Sequence, residues 1–128
     1  MGDNYTDETL DLMLVCKGDG YSYDNNFTKT TPISSNETLH IKTDKNGRNK
    51  LYFEETVWWC LTTTTEIRCT TNYLNGKDYE QKVKENPLLL RHGRIVINRL
   101  SGEAKIRVTY NLGSSDSNVV CKKKSQKF

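Results

Sequence analysis

From Leu10 onward the apolar residues fall on alternate positions: Leu10, Leu12, Leu14 and Cys16 are separated by Asp11, Met13 and Val15. A period of two puts one set of side chains on one face of a β-strand, so Leu10 to Lys17 predicts a first strand. The same period recurs at Leu39 and Ile41 within residues 38–43, at Ile95 and Ile97 within 94–99, and at Ala104, Ile106, Val108 and Tyr110 within 103–110. Residues 50–54 and 118–122 complete the outer strands. Between them, residues 18–27 are rich in Gly, Asp and Asn and predict a loop, with at most a short edge strand through Tyr21 and Tyr23. Pro32 separates that loop from the next strand, and Gly113 to Ser117 predicts a turn. Leu88-Leu89-Leu90 is an apolar run in a predicted loop, placed to plug one end of the core.

The densest stretch is Val57-Trp58-Trp59-Cys60-Leu61 with Thr62 to Thr65 and Glu66-Ile67-Arg68-Cys69. It predicts a hairpin, with Cys60 and Cys69 symmetric about Thr64 and Thr65, so that pairing the strands brings the two sulfurs opposite each other. Adjacent strand residues face opposite sides. Trp58 and Trp59 therefore cannot both enter the core of one sheet, and Trp58 shares the face of Cys60. The ring left outside is a candidate binding anchor.

Two Asn-Gly pairs supply the positive φ angles that tight hairpins need. Asn46-Gly47 joins the strand around Ile41 to 50–54; Asn75-Gly76 joins 67–74 to 77–83. The segment from Asp78 to Glu85 reads as strand, with a short helix through Tyr79 and Val83 as the alternative; Asn86-Pro87 ends either. The sum is all-β: an antiparallel meander of eight or nine strands, closed into a small barrel or sandwich. Residues 1–9 are expected to form a loose arm, 10–124 a single β domain, and 125–128 a basic tail.

Composition supports this reading. Fifteen threonines stand against a single alanine, Ala104, which disfavours helix. Leu, Ile, Val and Phe supply only 28 of 128 residues, so the core is thin and covalent cross-links would help it. Four cysteines in a short chain suggest disulfides and an oxidising compartment, secreted or periplasmic. Free thiols or zinc are the alternatives, although no Cys-x-x-Cys occurs and His40 and His92 lie far from any cysteine. If Cys60 pairs with Cys69, Cys16 is left with Cys121, which places the first strand beside the last, as a closed barrel requires. Met1-Gly2-Asp3-Asn4 runs directly into polar residues, so a disulfide-bonded form implies an export signal already removed. The sequons at Asn4, Asn26 and Asn36 would be surface sites in a eukaryotic secretory pathway. A net charge of +3 is too small to imply nucleic-acid binding, and no segment is long and apolar enough to span a membrane as a helix. The lysines at 122, 123, 124 and 127 read as a solvated tail.

Ile95-Val-Ile-Asn-Arg-Leu-Ser-Gly-Glu103, the Trp58–Cys69 hairpin, Cys16, and the end from Val120-Cys121-Lys122 to Phe128 together resemble a loose group of small exported proteins of Gram-negative bacteria. That group combines an early strand cysteine, a tryptophan ahead of a mid-chain cysteine and an Ile-x-Ile-x-Arg-x-Thr/Ser-Gly hairpin. Its members end in a cysteine followed by lysines and a phenylalanine. The resemblance implies an exported β domain and carries no activity with it.

Catalytic chemistry is hard to assemble from these residues. A hydrolase triad needs a nucleophile, a base and an orienting acid. His40, between Leu39 and Ile41, is expected to face solvent; His92 is expected in a loop; neither sits in a nucleophile motif. Glu54 and Glu55 adjoin, so on a strand they point apart and form no glycosidase pair. Arg91, Arg94 and Arg99 would gather at one barrel end or stand solvated. No cofactor or metal set is apparent. The expectation is a monomeric, noncatalytic, disulfide-stapled binding domain whose partner is another protein, of inhibitor or immunity type. Trp58, Trp59, Arg91 and Arg94 are the candidate contact residues. The alternative is a β-barrel that binds a small ligand, a glycan or cell-wall material.

Overall fold

The alternation in the sequence becomes eight antiparallel strands, each hydrogen-bonded to the next, with the last returning to the first to close a barrel. The structure is a computed structural model that describes residues 8–24, 29–53, 56–72, 81–82, 84–85, 90–110 and 113–124. The strands are β1 (Asp11–Asp24), β2 (Thr30–Thr43), β3 (Asn49–Phe53), β4 (Thr56–Thr62), β5 (Glu66–Asn72), β6 (Leu90–Asn98), β7 (Glu103–Tyr110) and β8 (Gly113–Lys123). Of the two closures open to a meander, the chain takes the barrel.

Register fixes its shape. A row of directly opposed residues runs from Asp11 through Lys42, Lys50, Trp59, Thr70, Arg94, Arg107 and Asp116 and returns to β1 at Tyr21. It comes back ten residues further along β1 than it left, from 11 to 21, which is the stagger of the barrel. Eight strands with that stagger tilt by roughly 40–45° and enclose a space that side chains alone can fill.

The filling comes from the inward set. Leu14 and Cys16, Leu39 and Ile41, Leu51 and Phe53, Trp58, Ile67 and Cys69, Ile95 and Ile97, Ile106 and Val108, Val119 and Cys121 are all buried. Trp58 is wholly enclosed. Its indole N–H donates to Thr56 Oγ1 at 2.6 Å, and its ring meets Phe53 edge-on at 5.8 Å and 88°. Two strands along the wall, on β6, Gly93 makes room for it: a Cβ there would stand 2.3 Å from the Trp58 ring. Outward positions carry Lys42, Lys50, Arg94 and Arg107, so charge faces out and apolar groups face in, the reverse of a barrel that spans a membrane. No helix among the described residues is long and apolar enough to cross one.

All four cysteines are paired. Cys16–Cys121 joins directly opposed residues of β1 and β8, and Cys60–Cys69 does the same for β4 and β5. Two disulfides are consistent with an oxidising location, extracellular or periplasmic.

Several boundaries differ from the sequence expectation. Residues 18–24 are strand rather than loop, and they are not an edge, because β1 pairs with β2 on one side and β8 on the other. Gly113 to Ser117 belongs to β8 rather than to a turn. Pro32 lies inside β2 and does not precede it. Leu10 O accepts from Thr43 N, so alternate residues of β2 bond β1 and Pro32, opposite Tyr21, turns its nitrogen away from β1. β3 pairs with β2 only over His40–Thr43, so the missing donor of Pro32 breaks no ladder bond. His92 is in β6, with Leu90 buried at its start. Gln81, Lys82, Lys84 and Glu85 are helical, where the sequence favoured strand. Asn75-Gly76, Leu88, Leu89, Glu54, Glu55 and the 125–128 tail lie outside the described residues.

The predicted arm is held at its inner end. Arg99, in the β6–β7 turn, donates to both carboxylate oxygens of Glu8 (2.5 and 2.9 Å) and to Thr63 O (2.7 Å). Three distant parts of the chain meet at that mouth, and the Glu8 carboxylate holds the Arg99 guanidinium above its ordinary pKa.

Candidate binding surface

The outer face of β3, β4 and β5 carries the exposed apolar residues that alternate with the core set. On β4, Trp58 and Cys60 point in, so Val57, Trp59 and Leu61 point out, and Tyr52 on β3 stands opposite Val57. Trp59 and Leu61 are each about half exposed, at 51% and 53%. Their backbone is held by Cys60–Cys69 beneath them and by the Thr63 turn, whose hydroxyl accepts from Glu66 N at 3.0 Å.

Cations ring this apolar strip. Lys50 lies opposite Trp59, with its Nζ 4.7 Å from the ring centroid, and the Arg48 guanidinium is 5.7 Å from it. Both distances suit a cation–π contact. The Asn46-Gly47 turn sets them there. Gly47 takes a φ of +80°, and Asp44 accepts from the backbone N–H of Asn46 and Arg48 at 2.9 Å each. The Asp44 carboxylate also pairs with Lys50 at 3.0 Å. The Arg48 N–H and then Lys50 hold the Asp44 carboxyl below its ordinary pKa. On the far side Arg68 stands opposite Leu61 and pairs with Glu66 at 2.7 Å. Arg94 follows Trp59 and Thr70 in the same cross-strand row. Arg48 and Arg94 have no acidic partner among the described residues.

The four candidate contact residues therefore separate. Trp59 and Arg94 share the outer row. Trp58 is fully buried and leaves the set. Arg91 is exposed as the bulged residue between Leu90 and His92. With Arg91 at the start of β6 and Arg99 beyond its end, the three arginines do not gather at one mouth. His40 faces outward as expected, with its Nε2 2.9 Å from Asp11 and its ring 6.1 Å from that of Tyr52. The sequence reading missed Tyr52, Val57, Leu61, Arg48 and Lys50. A signal for two of them was present: Val57 and Leu61 alternate with the Cys60 face just as Trp59 does.

No protein-family model, curated protein or solved structure matches the chain.

Proposed function

We propose that the domain is a noncatalytic, exported binding module that docks another protein through the outer face of β3–β5, as an inhibitor or immunity protein would. The observation that carries this is the exposed strip of Tyr52, Val57, Trp59 and Leu61 on a sheet braced by a disulfide. Monomers rarely leave contiguous apolar groups in water unless a partner covers them. Aromatic anchors with an arginine rim are the usual composition of protein interfaces. Arg48 and Arg94, free of acidic partners among the described residues, favour a partner surface that presents carboxylates. A small ligand inside the barrel is less well supported, because Trp58, Phe53, Leu39, Leu51 and the disulfides occupy its axis.

The test is affinity capture from periplasmic and culture-fluid extracts, with the stoichiometry read by native mass measurement. The wild-type chain is expected to retain a discrete acidic protein that Trp59→Ala and Leu61→Ser lose. Equal retention by all three chains would remove this surface from the function. Capture of no protein at all would overturn the reading itself.

A further inference from the structure

A second surface lies across β8, β1 and β2, where the sequence had predicted loops. Its outward residues form a grid: Tyr23, Tyr21 and Asp19 on β1, with Ser114, Asp116 and Asn118 opposite them on β8 and Thr30, Pro32 and Ser34 on β2. Asp19, Tyr21, Tyr23, Ser34, Asp116 and Asn118 among them line an open groove of about 690 Å³, a size within the range of small-molecule sites. The floor is bare backbone. At Gly18 and Gly20, which belong to the inward set, a Cβ would stand 2.0 Å from Asn118 O and Asp116 O, so the glycines let β1 and β8 approach closely beneath the groove. Tyr21 rises from this floor with 51% of its surface exposed.

We infer that this groove binds an uncharged pyranose oligosaccharide. The argument is chemical. A pyranose ring has an apolar C–H face that stacks on a flat aromatic such as Tyr21. Its rim of hydroxyls both donates and accepts, which Asp19, Asn118 and Ser34 match together. Charge in the groove is balanced: Lys17 lies beside Asp19, and Arg107 holds Asp116 at 2.6 Å. The formal charges around the groove therefore offset one another and give neither an anionic nor a cationic ligand a net attraction. The strands themselves point the same way. Gly, Ser, Asp and Asn are poor strand formers, and local rules are broken chiefly where function requires it.

The experiment is an amide NMR titration of the disulfide-intact protein to millimolar sugar. The probes are tetrasaccharides of β-1,4-linked N-acetylglucosamine, β-1,4-linked glucose and α-1,4-linked glucose, so that wall-type and storage-type glycans are told apart. At least one is expected to shift Gly18, Gly20, Tyr21 and Asn118 saturably. Tyr21→Ala and Asn118→Ala should each weaken binding roughly tenfold. Tyr21→Phe should keep it, and Trp59→Ala should leave it unchanged. No saturable shift with any of the three sugars, shifts centred on Trp59, or full affinity in Tyr21→Ala would each overturn the proposal. Protein capture by Tyr21→Ala is expected to match wild type, so the two surfaces succeed or fail separately.

Discussion

The outer faces of β3–β5 and of β8–β1–β2 belong to one barrel, and a single cross-strand row runs through both Trp59 and Tyr21. They are built from opposite materials. Around Trp59 the strands are Val, Trp, Leu, Tyr and Thr, residues that favour a pleated surface unaided. Around Tyr21 they are Gly, Asp, Ser and Asn, and what keeps them extended is pairing on both sides of β1 and the Cys16–Cys121 bridge at the seam. One region is held by its side chains and the other by its neighbours, so the two should respond differently to the same insult.

The largest difference is expected from the disulfides. Removing the seam bridge with Cys16→Ala and Cys121→Ala should cost roughly 4.8 kcal/mol on loop-closure grounds. Hydrogen exchange should show residues 18–24 losing protection before the β4–β5 hairpin does. Equal loss in both regions would show that the polar strands need no external support. Trp58→Ala should cost about 3–5 kcal/mol in urea unfolding, because the fully buried ring reaches over β5 to Gly93 of β6 and its loss leaves a cavity. Removing the hairpin bridge with Cys60→Ala and Cys69→Ala should cost roughly 2.7 kcal/mol. It should leave the groove amides unmoved in the NMR spectrum. Trp59→Ala, next to Trp58 in sequence but facing water, should change stability by no more than about 0.5 kcal/mol while abolishing partner capture.

The smallest effect concerns Asp44, which sets Lys50 over Trp59. Its folded pKa lies below the ordinary value of 3.8. The stability it contributes is therefore fully present above that value and is lost as pH falls through the lower folded pKa. The gap in Tm between wild type and Asp44→Asn should be constant near neutral pH and should narrow below about pH 4. A gap unchanged in acid would show that the turn does not depend on the carboxylate charge.

Where the sequence was readable follows from the same contrast. Leu10 to Cys16, Ile95 to Ile97 and the Cys60–Cys69 hairpin announce themselves, because period-two burial and β propensity agree there. The inward and outward tryptophans were separable in principle from the parity of Cys60. Residues 18–24 and 113–117 were not readable, because their extended state is imposed by partners that lie as much as a hundred residues away. Arg99 was opaque for a related reason: its partners, Glu8 and Thr63, are neighbours only once the barrel exists. Arg48 and Lys50 reach Trp59 through a turn whose geometry, not its composition, aims them.

The seam has a consequence for how the chain reaches this state. Every strand pairing except β1–β8 joins consecutive strands and can form as the polypeptide emerges. Cys16 must wait for Cys121, 105 residues later, and two other thiols appear in the interval. Cys60 and Cys69 lie nine residues apart, so they can oxidise with each other as soon as their hairpin folds. Early closure of that pair withdraws the only thiols with which Cys16 could mispair. The short bridge thus acts as a proofreading step for the long one: Cys69→Ala alone, which leaves the Cys60 thiol free, should give scrambled or dimeric product during oxidative refolding, whereas replacing both hairpin cysteines should not.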